Sequence, residues 1–296
     1  MIINSLSRFV TLCRILAICQ VLGDLKHMYT TVLSVKVNTI NFKIPSANLK
    51  REVEIDLYVP EGILGNEKIE LLLLNDGQDV AKMDFPKILE EAHHNKRNHR
   101  LIVVAIKAST ERLMEYGVAG VPDFKGRGAK ARLYNDFVIK ELLPFVKKKI
   151  AMPITGKVAF AGFSLGGLSA FDIAWNNPSV FDAVGVFSGA FWWRKKDLID
   201  GYTDADRIMH ALIDTTSTKP DMKFWLMTGT EDEKADRNKN MIIDSIDDTI
   251  DVVKSLLKKG YKRPENIFYF EKVGGKHDVA TWEKVMPAFL TWAFEI

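Results

Sequence analysis

Ser164 sits at the centre of G-F-S-L-G, with Gly162 and Gly166 at its flanks, inside the run FAGFSLGGLS (160–169). A strand-like run precedes it and a helical run follows. Glycines so placed let a strand turn sharply into a helix while the middle side chain is pushed out of the bend. A serine there can be a nucleophile; the plainer alternative is a glycine-rich turn whose serine caps the helix. A serine hydroxyl attacks only weakly until a base takes its proton, so the rest of the chain must supply that base, an orienting acid and donors for an oxyanion.

Six histidines are available. His93, His94 and His99 fall in the polar run EEAHHNKRNHR, which reads as a solvated helix end. His210 lies in a helical pattern and His27 in the ambiguous terminus. His277, in VGGKHDVATW, follows the last strand and precedes the last helix, in a loop loosened by Gly274 and Gly275. Position and chain order make it the expected base. Asp278 beside it cannot face it usefully. The acid is expected after the preceding strand, where TGTEDEKAD offers Glu231, Asp232 and Glu233. Asp232 is the choice among them, the other two reading as solvated charges. For the oxyanion, one backbone N–H is expected from Leu165 and the second from Gln78, after the strand that ends in LLLLNDGQD, where Gly77 permits a tight turn.

The elements that must hold these residues are legible as alternating runs. Strands are expected at VEIDLYV (53–59), IELLLLN (69–75), LIVVAIK (101–107), VAFAGF (158–163), VGVFSG (184–189), FWLMTG (224–229) and NIFYFEKV (266–273). Several are continuously apolar, as strands covered on both faces should be; VEIDLYV alternates, which suits an edge or antiparallel strand. Helical spacing marks ARLYNDFVIKELLPFVKKK, SLGGLSAFDIAWNN, DADRIMHALID, IDDTIDVVKSLLKKG and TWEKVMPAFLTWAFE. This alternation predicts an α/β fold: a mainly parallel sheet with helices on both faces, and a site at the carboxyl ends of the strands. The order Ser…acid…His is that of the α/β-hydrolases.

The motifs NDGQD, ERLMEYG, GFSLGG, FSGAFWW and GGKHD, in that order, resemble the esterase family that includes enterochelin esterase. More distantly they resemble feruloyl esterases, S-formylglutathione hydrolase and the mycolyltransferases. The likeness runs over about residues 30 to 296. It implies ester hydrolysis through Ser164, His277 and an acid whose position varies between members, with an oxyanion donor at Gln78, and it calls for no cofactor. Transfer of the acyl group to an alcohol would use the same residues, and a non-hydrolytic binding protein on the same fold is the alternative of a different class.

Further residues bear on a substrate. Phe191, Trp192 and Trp193 follow a strand end and are expected near the rim of the site, where aromatic faces can stack on a ring. Arg112 and Tyr116 follow another strand end; an Arg112–Glu115 pair is expected to shape the pocket wall. Arg194, Lys195 and Lys196 read as a solvated charge run. Asp236, Asn238, Asn240, Asp244 and Asp247 occupy calcium-loop positions, but Met241 stands where the sharp turn wants glycine. A helix start explains the same acids, and no metal is expected.

The chain has 296 residues, 47% of them hydrophobic and 27% charged, ample for a sizeable core. Lys+Arg 41 against Asp+Glu 38 leaves +3, too balanced to argue for a nucleic-acid or membrane-surface partner. The expected partner is a small-molecule ester. The two cysteines, Cys13 and Cys19, lie in the first twenty residues, so the esterase body expected over 28–296 has neither thiol nor disulfide. Residues 1–27 read as an extension or a cleavable export signal. Arg14 and Gln20 interrupt the apolar run, which falls short of the roughly 18 residues a spanning helix needs. A cytoplasmic location is therefore expected, with export as the alternative.

Overall fold

In a β-strand successive side chains face opposite ways, so the four consecutive leucines Leu71 to Leu74 must bury both faces of theirs. They do: Leu71 and Leu73 join one core cluster and Leu72 and Leu74 the other, all four fully buried. The computed structural model describes residues 35–94 and 99–296. The possible signal segment, with Cys13, Cys19 and His27, lies outside the described residues.

The sheet has eight strands: β1 Val37–Ser46, β2 Arg51–Pro60, β3 Lys68–Asn75, β4 His99–Ile106, β5 Val158–Phe163, β6 Ala183–Phe187, β7 Lys223–Glu231 and β8 Ile267–Lys276. Their spatial order is β1-β2-β4-β3-β5-β6-β7-β8. β2 runs antiparallel to both neighbours, and every pair from β4 to β8 is parallel. The alternating run 53–59 is thus the antiparallel strand, one place in from the edge. The edge itself is β1, whose Asn38, Thr39, Asn41 and Lys43 keep it polar, as exposed edges tend to be.

The helices are α1 Gly77–Val80, α2 Phe85–His94, α3 Arg112–Glu115, α4 Ala131–Phe137, α5 Leu143–Ile150, α6 Leu165–Asn176, α7 Ile208–Thr215, α8 Asp244–Lys258 and α9 Val279–Phe294. A π-turn over Val138–Leu142 joins α4 to α5. Its Glu141 accepts hydrogen bonds from the Ser46 hydroxyl and the backbone of Ala47 and Asn48, tying the β1–β2 turn to this helical layer. Phe137, Phe171, Trp175, Ile213 and Leu256 pack one face of the sheet; Phe85, Leu89, Met286 and Phe289 pack the other. Helices therefore cover both faces. Among the described residues no helix is long and apolar enough to cross a membrane.

The histidine run departs from the sequence expectation. His93 is buried, its Nδ1 2.6 Å from the Leu89 carbonyl, while its Nε2 accepts the Leu101 N–H at 3.0 Å. Burial lowers its pKa to about 4 and keeps the ring neutral. A period-3.6 face toward β4 lies hidden among the charges of α2. His99 opens β4, its ring 3.6 Å from the buried Glu70. His210 of α7 is likewise buried, with Nε2 2.9 Å from the Asp248 carbonyl and its pKa lowered to about 4 by desolvation.

Candidate active site

Ser164 links β5 to α6 with φ 54° and ψ −122°, a conformation that L-residues avoid. The bend closes only because its neighbours lack side chains. A Cβ on Gly162 would lie 2.5 Å from the Gly166 carbonyl, and one on Gly166 would lie 2.2 Å from Asp76 Oδ2. The Ser164 N–H donates to the Phe187 carbonyl at 2.8 Å, and its own carbonyl accepts from Gly167, Leu168 and Ala190. The backbone is held on every side while the side chain keeps partial exposure. The hydroxyl makes no capping hydrogen bond, so the helix-cap reading has no support from the local geometry. The Leu165 N–H, first in α6, has no backbone acceptor.

β3 lies beside β5 in the sheet, so its end meets the same helix start. Asn75 Nδ2 donates to the Gly166 carbonyl at 2.9 Å, and Tyr134 Oη donates to Asn75 Oδ1 at 2.6 Å. Asp76 takes a left-handed turn, φ 62° and ψ 45°, which starts α1. Asp79 and Val80 send their N–H groups to its carbonyl, leaving the Gln78 N–H without a backbone acceptor. The two unengaged N–H groups, at Leu165 and Gln78, thus sit on adjoining strand ends. The Gln78 side chain clamps the loop: Nε2 donates to Asp76 Oδ1 at 3.1 Å, and Oε1 accepts the Ala108 N–H at 2.9 Å.

Arg112 completes this support. Its Nε and Nη2 grip the fully buried Asp76 carboxylate at 2.7 and 2.8 Å. The expected Arg112–Glu115 pair does not form. Glu115 instead takes Arg51, at 2.8 and 2.5 Å, because the single turn of α3 points its two ends at different strands. Tyr116 is fully buried, and its hydroxyl accepts the Asp76 N–H at 3.3 Å. It holds the loop from behind rather than facing a ligand.

β7 and β8 carry the remaining groups. A Cβ on Gly229 would lie 2.3 Å from the Gly275 carbonyl and 2.6 Å from Asp232 Oδ1, so glycine is what lets the Asp232 turn press against the His277 loop. The Asp232 N–H closes onto the Gly229 carbonyl at 3.3 Å. Both carboxylate oxygens are buried without a completed hydrogen bond. Burial raises the Asp232 pKa, opposed by the Gly229 N–H, the Ser188 hydroxyl and the charge of His277. His277 is displaced downward by desolvation; Asp232 acts to raise it and Arg112 to lower it. Its ring stands edge-on to Trp282 at 5.3 Å, and Trp282 stacks on Phe163, the residue before Ser164, at 4.8 Å.

The neighbouring carboxylates have different surroundings. Glu231 is exposed at the end of β7. Glu233 is raised by burial among Ser245, Asp244 and Asp248 at the start of α8. Asp278 caps α9, accepting the Thr281 N–H at 2.8 Å. Ser188, buried and in the left-handed region at φ 50°, had no local signal to single it out, because its partner Trp282 is 94 residues away.

Of the rim aromatics, only Trp192 is partly exposed; Phe191 and Trp193 are fully buried. The Arg127 guanidinium lies 5.1 Å from both indole rings and is itself fixed by Asp123. Arg194 packs between Phe124 and Tyr202, and Lys196 lies 3.4 Å from Asp206. These charges are largely tied to neighbours.

The calcium-loop pattern folds onto its own donors. Asp236 accepts the Asn240 and Met241 N–H groups, and Asp247 accepts both asparagine side chains, at 2.9 and 2.6 Å. Met241 does take the left-handed turn, at φ 71°. The positive charge, however, comes from Arg237, which pairs with Asp244 at 3.3 Å and with the buried Asp248. Among the described residues no three His, Cys, Asp or Glu side chains gather as a metal site.

The strand order, the single antiparallel β2 and the strained turn between β5 and α6 define an α/β-hydrolase fold. The chain matches the family described as putative esterase over residues 46–293, and it belongs to that family. Among solved structures it resembles the enterobactin esterase from Shigella flexneri, determined in the presence of 2,3-di-hydroxy-N-benzoyl-glycine. The identity is 20% and the TM-score 0.65, covering 87% of this chain and 59% of that one. The chain thus spans about 59% of the length of that enzyme. A ferulic acid esterase matches at 15% identity and TM-score 0.65 over 88% of this chain and 98% of its own. A siderophore hydrolase from Aspergillus nidulans matches at 18% and 0.58, covering 85% and 93%. A search of curated protein sequences gives no match.

Proposed function

We propose that the chain is a serine carboxylic-ester hydrolase. The observation that carries this reading is Ser164, held at φ 54° on a bend that two glycines alone permit, with an unengaged backbone N–H beside it. Ser164 Oγ attacks the ester carbonyl while His277 takes its proton, forming a tetrahedral oxyanion. The Leu165 and Gln78 N–H groups stabilise that charge, and their fixed orientation means no reorganisation is needed as it develops. The imidazolium then protonates the leaving alkoxide as the C–O bond breaks, giving alcohol and an acyl-Ser164 ester. Water, deprotonated by His277, releases the acid and restores the serine. Asp232 holds His277 in the tautomer that presents a free nitrogen to Ser164, and stabilises the imidazolium.

The substrate proposed is an ester with an aryl-bearing acyl or alcohol part. The partly exposed Trp192 supports it, as do the catechol-type and ferulic compounds named for the similar structures. Hydrolysis of a panel of feruloyl, dihydroxybenzoyl and short alkyl esters tests this. Faster turnover of the aryl esters is expected, whereas an alkyl-only preference would contradict the substrate class. Adding a sugar or alcohol acceptor should leave free acid as the main product; a dominant transesterified product would make the protein an acyltransferase using the same residues.

A further inference from the structure

Asn75 ends β3 and is fully buried. The pairing of β3 with β5 stops one residue earlier, at Leu74 and Ala161. The two turns that carry the Gln78 and Leu165 N–H groups lie beyond that pair, and no backbone hydrogen bond joins residues 76–80 to residues 164–167. The Asn75 amide makes the connection. Its Nδ2 donates at 2.9 Å to the carbonyl of Gly166, the residue after Leu165, and its Oδ1 accepts from Tyr134 Oη at 2.6 Å. A carbonyl can only accept, so the amide has one orientation here. Gly166 is the second residue of α6, where its carbonyl already has a place in the helical ladder. The bond from Asn75 is therefore not needed to satisfy it. Tyr134 is buried in turn and packs at 5.0 Å on Tyr116, which holds the Asp76 N–H. The approach is close: a Cβ on Gly166 would lie 3.1 Å from the Asn75 Cβ.

We propose that Asn75 is a positioning residue that fixes the spacing of the two oxyanion donors, by tying the first turn of α6 to the end of β3. This rests on the reading of Ser164, Leu165 and Gln78 given above. Asn75 acts through the backbone of Gly166 and Asp76, not on the substrate itself. The strength of an N–H···O bond falls steeply as distance and angle leave their optimum, and both donors must meet one oxygen as its charge develops. Without the amide, the first turn of α6 shifts against the Asp76 loop and the pair of N–H groups no longer matches the tetrahedral intermediate. The carbonyl of the bound ester carries less charge and loses less.

The test compares kcat/KM for p-nitrophenyl acetate with that for its thionoester, in which sulfur replaces the carbonyl oxygen. Sulfur accepts hydrogen bonds weakly, so the ester-to-thionoester ratio reads the oxyanion donors, whereas a displaced Ser164 slows both substrates alike. The main variant is Asn75→Leu combined with Tyr134→Phe, which removes both buried polar partners together and should therefore fold. Its kcat/KM for the ester should fall about 10- to 10²-fold, and the ratio should fall with it. Tyr134→Phe alone keeps the bond to Gly166 and should hold the ratio near wild type. Should the double variant fail to fold, Asn75→Ser decides, its hydroxyl stopping one bond short of Gly166. A folded Asn75 variant with the wild-type ratio overturns the proposal, even where its melting temperature or its overall rate falls. A drop in ratio as large in Tyr134→Phe alone would trace the effect to the tyrosine and also overturns it. If Ser164→Ala abolishes turnover while the Asn75 variants keep the ratio, only the Asn75 assignment fails; if Ser164→Ala keeps full turnover, the reading beneath it fails as well.

Discussion

Removing Arg112 should damage the fold and the chemistry together, because the residue supports the loop that carries Gln78. Asp76 has no exposed side-chain surface, and the Arg112 side chain is only 29% exposed, so solvent screens the pair weakly. Arg112→Met leaves a buried carboxylate with two charge-assisted hydrogen bonds lost, a change that costs about 3–5 kcal/mol. For a domain of this size that is a fall in Tm of about 6–20 °C. Asp76→Asn in the same chain removes the uncompensated charge. The double variant should therefore be more stable than the sum of the two losses by about 2 kcal/mol or more. Urea unfolding of the wild type, both single variants and the double variant at pH 7 measures this coupling. Because Arg112 lowers the His277 pKa, Arg112→Met should also move the acid limb of kcat/KM to higher pH. Losses that add within about 0.5 kcal/mol, with an unmoved limb, would refute the reasoning.

Other outcomes follow from single groups. Asp232→Asn should keep the fold and lower kcat by up to about 10⁴ through the wrong His277 tautomer, while Glu231→Gln and Glu233→Gln cost far less; steady-state kinetics on the three variants decides. Asp172, buried on α6, has its pKa raised to about 7 by desolvation. A raised folded pKa makes its contribution most favourable at low pH and lost as pH rises toward 7. The stability of Asp172→Asn relative to wild type should thus improve between pH 5 and pH 8, as read from urea midpoints. His93 and His210, held neutral with pKa values of about 4, act in the opposite sense. Their stabilisation is complete above about pH 6.5 and is lost as pH falls toward 4. EGTA should leave Tm unchanged, because Arg237 supplies the positive charge among Asp244 and Asp248; Arg237→Ala should lower stability by about 2 kcal/mol.

The parallel strands were legible because a strand covered on both faces must be apolar at every position, as Leu71 to Leu74 are. β1 carries no clear strand signal in the sequence, because most of its outward positions are polar and its pairing with β2 is settled by a turn, not by hydrophobic pattern. α1 and α3 are one turn each, too short for a period to register. The bend at Ser164 was readable because sterics demand glycine at fixed offsets from it. The burial of Tyr116, Phe191 and Trp193 was not, since an aromatic after a strand end can face either way. Nor does composition separate Asp232 from Glu231 and Glu233. What distinguishes Asp232 is the approach of Gly229 to Gly275, a contact between two strands. Ser188 and Arg112 meet partners far off in sequence, Trp282 and Asp76, which no local pattern announces.

The most direct measurement is the covalent one. The protein is treated with a fluorophosphonate, and the modified residue is located by intact mass and peptide mapping, alongside Ser164→Ala and His277→Ala. A single adduct on Ser164 is expected, absent from Ser164→Ala and formed at least about 10³-fold more slowly in His277→Ala, since nucleophile and base act as a unit. An adduct on another serine, or undiminished ester turnover by Ser164→Ala, would contradict the account.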